Sequence, residues 1–167
     1  YSSIICPKEN GQKLSEDLII SKKELLKSFS LEKDEINFLK MSSFPKFSLN
    51  RPLCAAWLNK CYITAYGEVR ACVAYPISYT VGDLRKESFK KIWVRDMDID
   101  NVLMRQITIK NFQICNNCNL LDYCSLCPAH SILEEGRLGP IKQKCMMAKA
   151  KKEFIETLKL EGGNNEK

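Results

Sequence analysis

Nine cysteines are the residues of this 167-residue chain best suited to chemistry, and four of them lie within thirteen positions. The stretch CNNCNLLDYCSLC, residues 115–127, has the spacing C-x2-C-x5-C-x2-C. Closely spaced cysteines in a chain without a secretory signal are typical of metal sites or redox chemistry rather than of structural disulfides. The odd number of cysteines also argues against complete disulfide pairing. The spacing therefore predicts metal binding.

The two C-x2-C pairs are too close together to share one small ion. A structural zinc takes four ligands in a tetrahedron, and two such pairs around one zinc are usually separated by about 15–20 residues. Here only five residues separate Cys118 from Cys124. In two-cluster ferredoxins one cysteine of a tight run ligates the other cluster, so a run shared between two sites fits the short gap.

Outside the run, and leaving Cys6 aside, four more cysteines complete two shells of four ligands. These are Cys54, Cys61, Cys72 and Cys145. Four sulfur ligands suit both zinc and iron–sulfur clusters, so the spacing alone leaves the two kinds of site open.

Charge and hydropathy exclude some classes of partner. The chain has 26 Lys and Arg against 20 Asp and Glu, a net charge of +6. The late lysines, from Lys142 to Lys159, alternate with glutamates, which is typical of a solvated helix rather than a nucleic-acid interface. No stretch approaches the roughly eighteen apolar residues of a membrane span. Residues 1–6 lack a signal-peptide pattern, so we predict a cytoplasmic protein, cut from a longer chain because it does not begin with Met.

The coarse pattern of elements predicts an α+β fold. Residues 2–6 suggest a buried strand, and Ser21 with Glu24 forms a capping box that begins a helix. A second helix is expected near residues 31–39, and we place a domain boundary near residue 48 because the cysteines begin after it. The prediction is thus two parts: residues 1–48, and a small cysteine-rich domain over residues 49–167.

The second part combines a hairpin, short helices and loops. Gly67 is expected to turn a β-hairpin with a positive φ. Asp83 is a candidate cap for a short helix that buries Ile92 and Trp93, and residues 100–107 suggest another helical turn or two. The cysteine run, rich in turn residues, reads as metal-binding loop, and Met146 to Leu160 as a terminal helix.

Three segments taken in order resemble the SPASM domain, the C-terminal auxiliary-cluster module of many radical S-adenosylmethionine enzymes. The segments are LCAAWLNKCYITAYGEVRAC, CNNCNLLDYCSLCPA and KQKC. As in that family, a first cysteine, Cys54, is followed after twelve residues by a glycine, Gly67, and four residues separate that glycine from the next family cysteine, Cys72. The last spacing of the run is x2 where the family has x3. The resemblance covers about residues 49–155, and residues 1–48 resemble the last strand and helices of the preceding partial (β/α) barrel.

The resemblance implies two auxiliary [4Fe–4S] clusters. The one nearer the barrel would be held by Cys54, Cys61, Cys72 and Cys127. The distal one would be held by Cys115, Cys118, Cys124 and Cys145. With Cys61 present, the near cluster is expected to be fully ligated.

The implied function is electron relay in a radical S-adenosylmethionine maturase that modifies a peptide or protein, for example by thioether cross-linking. An external carrier such as ferredoxin or flavodoxin would take the electrons. The chain lacks the C-x3-C-x2-C signature, so S-adenosylmethionine and a third [4Fe–4S] cluster would belong to an upstream barrel. A zinc-stabilised four-cysteine binding module without redox role is the alternative. His130 and Cys6 are interpreted as structural.

Overall fold

The structure, a computed structural model, describes residues 20–31, 50–99 and 101–162. Its helices are α1 (Lys22–Leu31), α2 (Phe89–Trp93), α3 (Pro128–Glu135) and α4 (Lys142–Gly162). Its strands are β1 (Tyr62–Ile63), β2 (Glu68–Arg70), β3 (Thr80–Asp83), β4 (Asp98–Ile99) and β5 (Val102–Leu103). Helices beside small antiparallel sheets are compatible with the predicted α+β class.

Several predictions about the N-terminal part lie outside the described residues. They are the strand at residues 2–6 with Cys6, the second helix near residues 31–39, and the boundary near residue 48. Residues 1–48 were also predicted to be the end of a partial barrel. Within that segment the structure describes only residues 20–31, which include α1. These remain predictions.

Helix α1 begins at the predicted capping box and packs on the terminal helix. The Glu24 carboxylate accepts a hydrogen bond from the Ser21 N–H at 2.8 Å, and the Ser21 hydroxyl accepts one from the Glu24 N–H at 3.3 Å. The ring centroids of Phe29 and Phe154 are 5.7 Å apart, and Lys22 pairs with Glu153 across the same interface. The apolar face of α1 is therefore buried against α4.

The predicted hairpin is confirmed and extends to a third strand. Strand β1 pairs with β2, with Tyr62 opposite Arg70, and Gly67 in the turn has a φ of 83°. Strand β3 pairs antiparallel with the other edge of β2. Helix α2 packs closely on this sheet, because a Cβ added to Gly82 would lie 2.6 Å from Cγ1 of Ile92.

One local prediction was wrong, and another was right only for part of its range. Asp83 does not cap α2, because its carboxylate accepts hydrogen bonds from the backbone and the guanidinium of Arg85 in the turn after β3. Residues 100–107 are not helical throughout. Strands β4 and β5 form a two-stranded sheet before a single 3-10 turn at Met104–Gln106, with Asn101 at a φ of 62° between them.

The main core lies beneath the three-stranded sheet and the cysteine loop. Its largest fully buried side chains include Trp57, Ile92, Ile109 and Phe112. Cys115 belongs to this core, and Cys61, Cys72 and Cys127 pack against its edge. The prediction that residues 115–127 form a loop is confirmed, with one 3-10 turn at Leu121–Tyr123. The terminal helix is also confirmed and begins four residues earlier than predicted.

Candidate metal centre

Four cysteines from the loop and from α4 surround one apolar pocket. The pocket encloses about 350 Å³ of empty space, including its opening to solvent. Its walls are aliphatic side chains, the four thiols and one lysine. The lining residues are Cys115, Cys118, Leu120, Leu121, Cys124, Leu126, Ile141, Lys144, Cys145 and Ala148. We call Cys115, Cys118, Cys124 and Cys145 the distal set.

Successive hydrogen-bonded backbone turns position the distal set around the pocket. The Cys115 N–H donates to the carbonyl of the buried Phe112 at 2.8 Å, which fixes the start of the loop on the core. The Cys118 N–H donates to the Cys115 carbonyl at 3.0 Å, and the next pair of turns leads to Cys124. Cys145 lies in the first turn of α4, where its N–H donates to the Ile141 carbonyl at 2.9 Å.

The thiols of the distal set interact electrostatically. Burial, followed by the charges of Cys145, Cys124 and Cys118, raises the pKa of the Cys115 thiol to about 11. Burial also raises the pKa of Cys124 and of Cys145, and neighbouring cysteines add to both shifts. Four thiolates in one pocket repel each other, so only a bound cationic group would stabilise all four in the ionised form.

A second group of cysteines lies on the other side of the loop. Burial raises the pKa of Cys54 and of Cys72, and the charge of Cys127 raises both further. The backbone N–H of Ala56 opposes this shift by donating to the Cys54 sulfur, and the N–H groups of Ala74 and Tyr75 do so at Cys72. We call Cys54, Cys72 and Cys127 the near set.

Two side chains that the sequence did not single out support the near set. Arg70 is 4% exposed, and its Nη1 donates to the Tyr75 carbonyl at 3.1 Å, which fixes the turn after Cys72. Its positive charge lowers the pKa of the Cys72 thiol. Tyr75 is 2% exposed, and burial raises the pKa of its hydroxyl, with smaller contributions from the three near-set cysteines.

Cys61 is the fourth ligand that the resemblance implies for the near cluster. Its link to the other three cysteines is weaker. It precedes β1 and packs against the same core as Cys72 and Cys127. Its charge is not among the causes of the raised pKa values of Cys54 and Cys72. The raised pKa values thus link Cys54, Cys72 and Cys127, and ligation by Cys61 stays a prediction.

The two sets divide the cysteine run between them. Cys124 interacts with distal-set cysteines, whereas Cys127, three residues later, interacts with Cys54 and Cys72. Cys127 is the N-cap residue of α3, and it does not line the distal pocket. This grouping coincides with the division that the resemblance implies, while binding of a cluster by either set stays a prediction.

The arrangement also bears on the size of the group that would be bound. A tetrahedral zinc with Zn–S bonds of about 2.3 Å brings its sulfurs within about 3.8 Å of one another. Within residues 20–31, 50–99 and 101–162, no three His, Cys, Asp or Glu side chains are grouped in a way that would hold a metal ion. The four distal thiols come together as part of the lining of one pocket.

Lys144 was misread from the sequence. The late lysines predicted a solvated helix face, and Lys142 and Lys149 are indeed exposed. Lys144 is only 6% exposed, and its ammonium group donates to the Ser125 carbonyl inside the cysteine loop. The sequence signal for this placement was the position of Lys144 directly before Cys145.

His130 lies in α3. Burial, followed by the charge of Lys144, lowers the pKa of its imidazole. It is half-buried, and no role beyond packing follows from its position.

The candidate site is thus two sets of cysteines in a small α+β fold, and comparison with known proteins gives its class. Residues 54–119 match the family model of SPASM, an iron–sulfur cluster-binding domain. The resemblance drawn from the sequence is therefore confirmed over this segment, which is similar to the iron–sulfur cluster-binding domains described by that model. Cys124, Cys127 and Cys145 lie beyond the matched segment.

No curated protein and no solved structure matches the chain. In the part of the chain that the structure describes, no helix is long and apolar enough to cross a membrane.

Proposed function

We propose that this chain is the auxiliary-cluster module of a radical S-adenosylmethionine enzyme that modifies a peptide or protein. The observation that carries the proposal is the division of the cysteines into two sets beside a SPASM match. The distal set offers four thiols around one cavity, and the near set offers three, with Cys61 as its fourth member. Two [4Fe–4S] clusters bound there would supply one-electron acceptors, with potentials set by burial, charge and hydrogen bonds.

The chain's own residues would hold these acceptors in different surroundings. Backbone N–H groups at Ala56, Ala74 and Tyr75 reach near-set sulfurs, so that set is supplied with hydrogen bonds. Lysines of α4 face the distal set, where Lys144 and Lys151 both lower the pKa of Cys124. Hydrogen bonds and positive charge both favour the more negative, reduced form of a cluster. The proposed role is electron relay. The hydrogen bonds and the lysine charges both stabilise negative charge on a bound cluster, and neither activates a side chain as a nucleophile.

The partners of the module are also proposals. The C-x3-C-x2-C signature is missing from the sequence, so the radical chemistry would be done by a radical S-adenosylmethionine barrel, with its own cluster, upstream of this module. Electrons would leave to a carrier such as ferredoxin or flavodoxin, in the cytoplasm. Thioether cross-linking of a peptide is the proposed type of reaction.

A zinc-stabilised binding module is the competing function. It also needs two sets of four thiols. The match of residues 54–119 to an iron–sulfur cluster-binding family favours clusters over zinc. Zinc has no redox chemistry, so electron uptake separates the two.

Electron uptake by the intact chain tests the proposal. Protein purified without oxygen is expected to take up about two electrons from dithionite, one for each cluster, and to return them to added ferredoxin or flavodoxin. Titration followed by electron paramagnetic resonance measures both steps. Cys6→Ala is the matched control, because it removes the one cysteine that the resemblance assigns to neither cluster, and its uptake should be unchanged. A chain that takes up no electrons would contradict the redox function.

A further inference from the structure

A buried cation lies in the wall of the distal pocket. Lys144 is 6% exposed and lines the same cavity as the four distal thiols. Burying an ammonium group is costly unless it is paired. Its ammonium donates to the carbonyl of Ser125, between Cys124 and Cys127. Among the ion pairs of the described residues, none joins Lys144 to a carboxylate. The four thiols that line the same pocket would supply a compensating negative charge when ionised.

The other charged groups near the pocket are more exposed or weaker in effect. Lys144 is the first of the cations that lower the pKa of Cys124, ahead of Lys151. Lys149 lowers the pKa of Cys145 from an exposed position, and Glu134 raises it. Exposed charges are screened by salt, whereas a buried charge is screened much less. Lys144 is therefore the buried cation in the wall of the pocket, where its charge is screened little by salt.

We propose that Lys144 is a positioning residue of the distal site, which holds the cysteine loop through Ser125 and raises the reduction potential of the cluster bound there by its fixed charge. This inference rests on the proposed function. Reduction adds one electron from an external one-electron donor and hence one negative charge to the cluster. A nearby buried positive charge stabilises that added charge and makes reduction easier.

Two substitutions at Lys144 separate its charge from its hydrogen bond. Lys144→Gln removes the charge and keeps an N–H donor of shorter reach, and Lys144→Arg keeps both the charge and a donor. The full chain is titrated anaerobically with dithionite through viologen mediators, and the two clusters are followed by electron paramagnetic resonance. Lys144→Gln is expected to shift one of the two potentials to a lower value and leave the other unchanged, while Lys144→Arg keeps both near those of the unmodified chain.

Lys149→Gln is the matched control on the same helix. It removes the same charge from an exposed position, so its shift should be smaller and should fade as salt is added. The inference is overturned if Lys144→Gln leaves both potentials unchanged, or if Lys149→Gln shifts the same potential as much.

If Lys144→Gln loses the distal cluster, the Lys144→Arg variant shows whether the missing charge is the cause. If Lys144→Arg binds the distal cluster at the original potential, the role of the charge is supported. If both variants lose the distal cluster, Lys144 acts through packing alone and the inference is overturned. Absence of iron from the unmodified chain would overturn the proposed function itself. That result is distinct from iron-loaded variants with equal potentials, which overturn only the inference about Lys144.

Discussion

Cys124→Ala and Cys127→Ala should each remove a different cluster, although the two residues are only three positions apart. Cys124 interacts with the distal set around the pocket, and Cys127 interacts with Cys54 and Cys72. A cluster that loses one of four thiolates is expected to be lost or strongly disturbed. Iron should therefore fall from about eight to about four per chain in each variant, with different electron paramagnetic resonance signals remaining.

Double variants sharpen this expectation, because substitutions within one set should not add. Cys124→Ala combined with Cys145→Ala should retain about four irons, since both residues belong to the distal set. Cys124→Ala combined with Cys127→Ala should retain almost none. Circular dichroism of each variant shows whether the fold survives. If folded single variants each lost all iron, or both lost the same cluster, the two-set division would be wrong.

Trp57→Ala is expected to cause the largest loss of stability at a position that is not a candidate ligand. Trp57 is fully buried, its ring centroid lies 5.0 Å from that of Trp93, and its Nε1 donates to the Arg95 carbonyl at 2.7 Å. The Arg105 guanidinium lies over the same ring at 5.6 Å. Truncating a buried tryptophan to alanine costs about 3–5 kcal/mol in free energy of unfolding, a large part of a typical domain's stability.

The position of Trp57 links this loss to the near set. It follows Cys54 by three residues and has a φ of 59°, so its packing holds the backbone beside that cysteine in an uncommon conformation. We expect Trp57→Ala to lose near-set iron before distal iron as urea is added without oxygen. Trp57→Phe keeps most of the ring and removes one hydrogen bond, so its loss should be only about 1 kcal/mol. Equal urea midpoints for the alanine variant and the unmodified chain would show that this core does not stabilise the domain.

The elements that depend on local signals were predictable from the sequence. The capping box of Ser21 and Glu24, the positive φ of Gly67 and the terminal helix each follow from side chains a few residues apart. Asp83 shows the limit of such reasoning. A carboxylate suited to a helix cap had a closer partner in Arg85, and the sequence does not say which backbone N–H group it would reach.

The candidate site was predictable in its thiols and not in its supporting cations. Cysteine spacing and the family resemblance indicated the two sets, because the number of cysteines and the distances between them can be counted in the sequence. Arg70 and Lys144 carry residue types that usually face solvent, and both are buried here. Their burial depends on carbonyl groups of Tyr75 and Ser125 that only the folded loops bring within reach. Sequence patterns record helix faces and do not record such contacts between loops.

The metal content of protein purified without oxygen tests the central claim most directly. Iron, acid-labile sulfide and zinc are measured in one sample, together with its visible absorbance. Two [4Fe–4S] clusters predict about eight irons, a matching amount of sulfide and a broad visible band. About two zinc ions in a colourless protein would contradict the account and indicate a zinc-stabilised binding module instead.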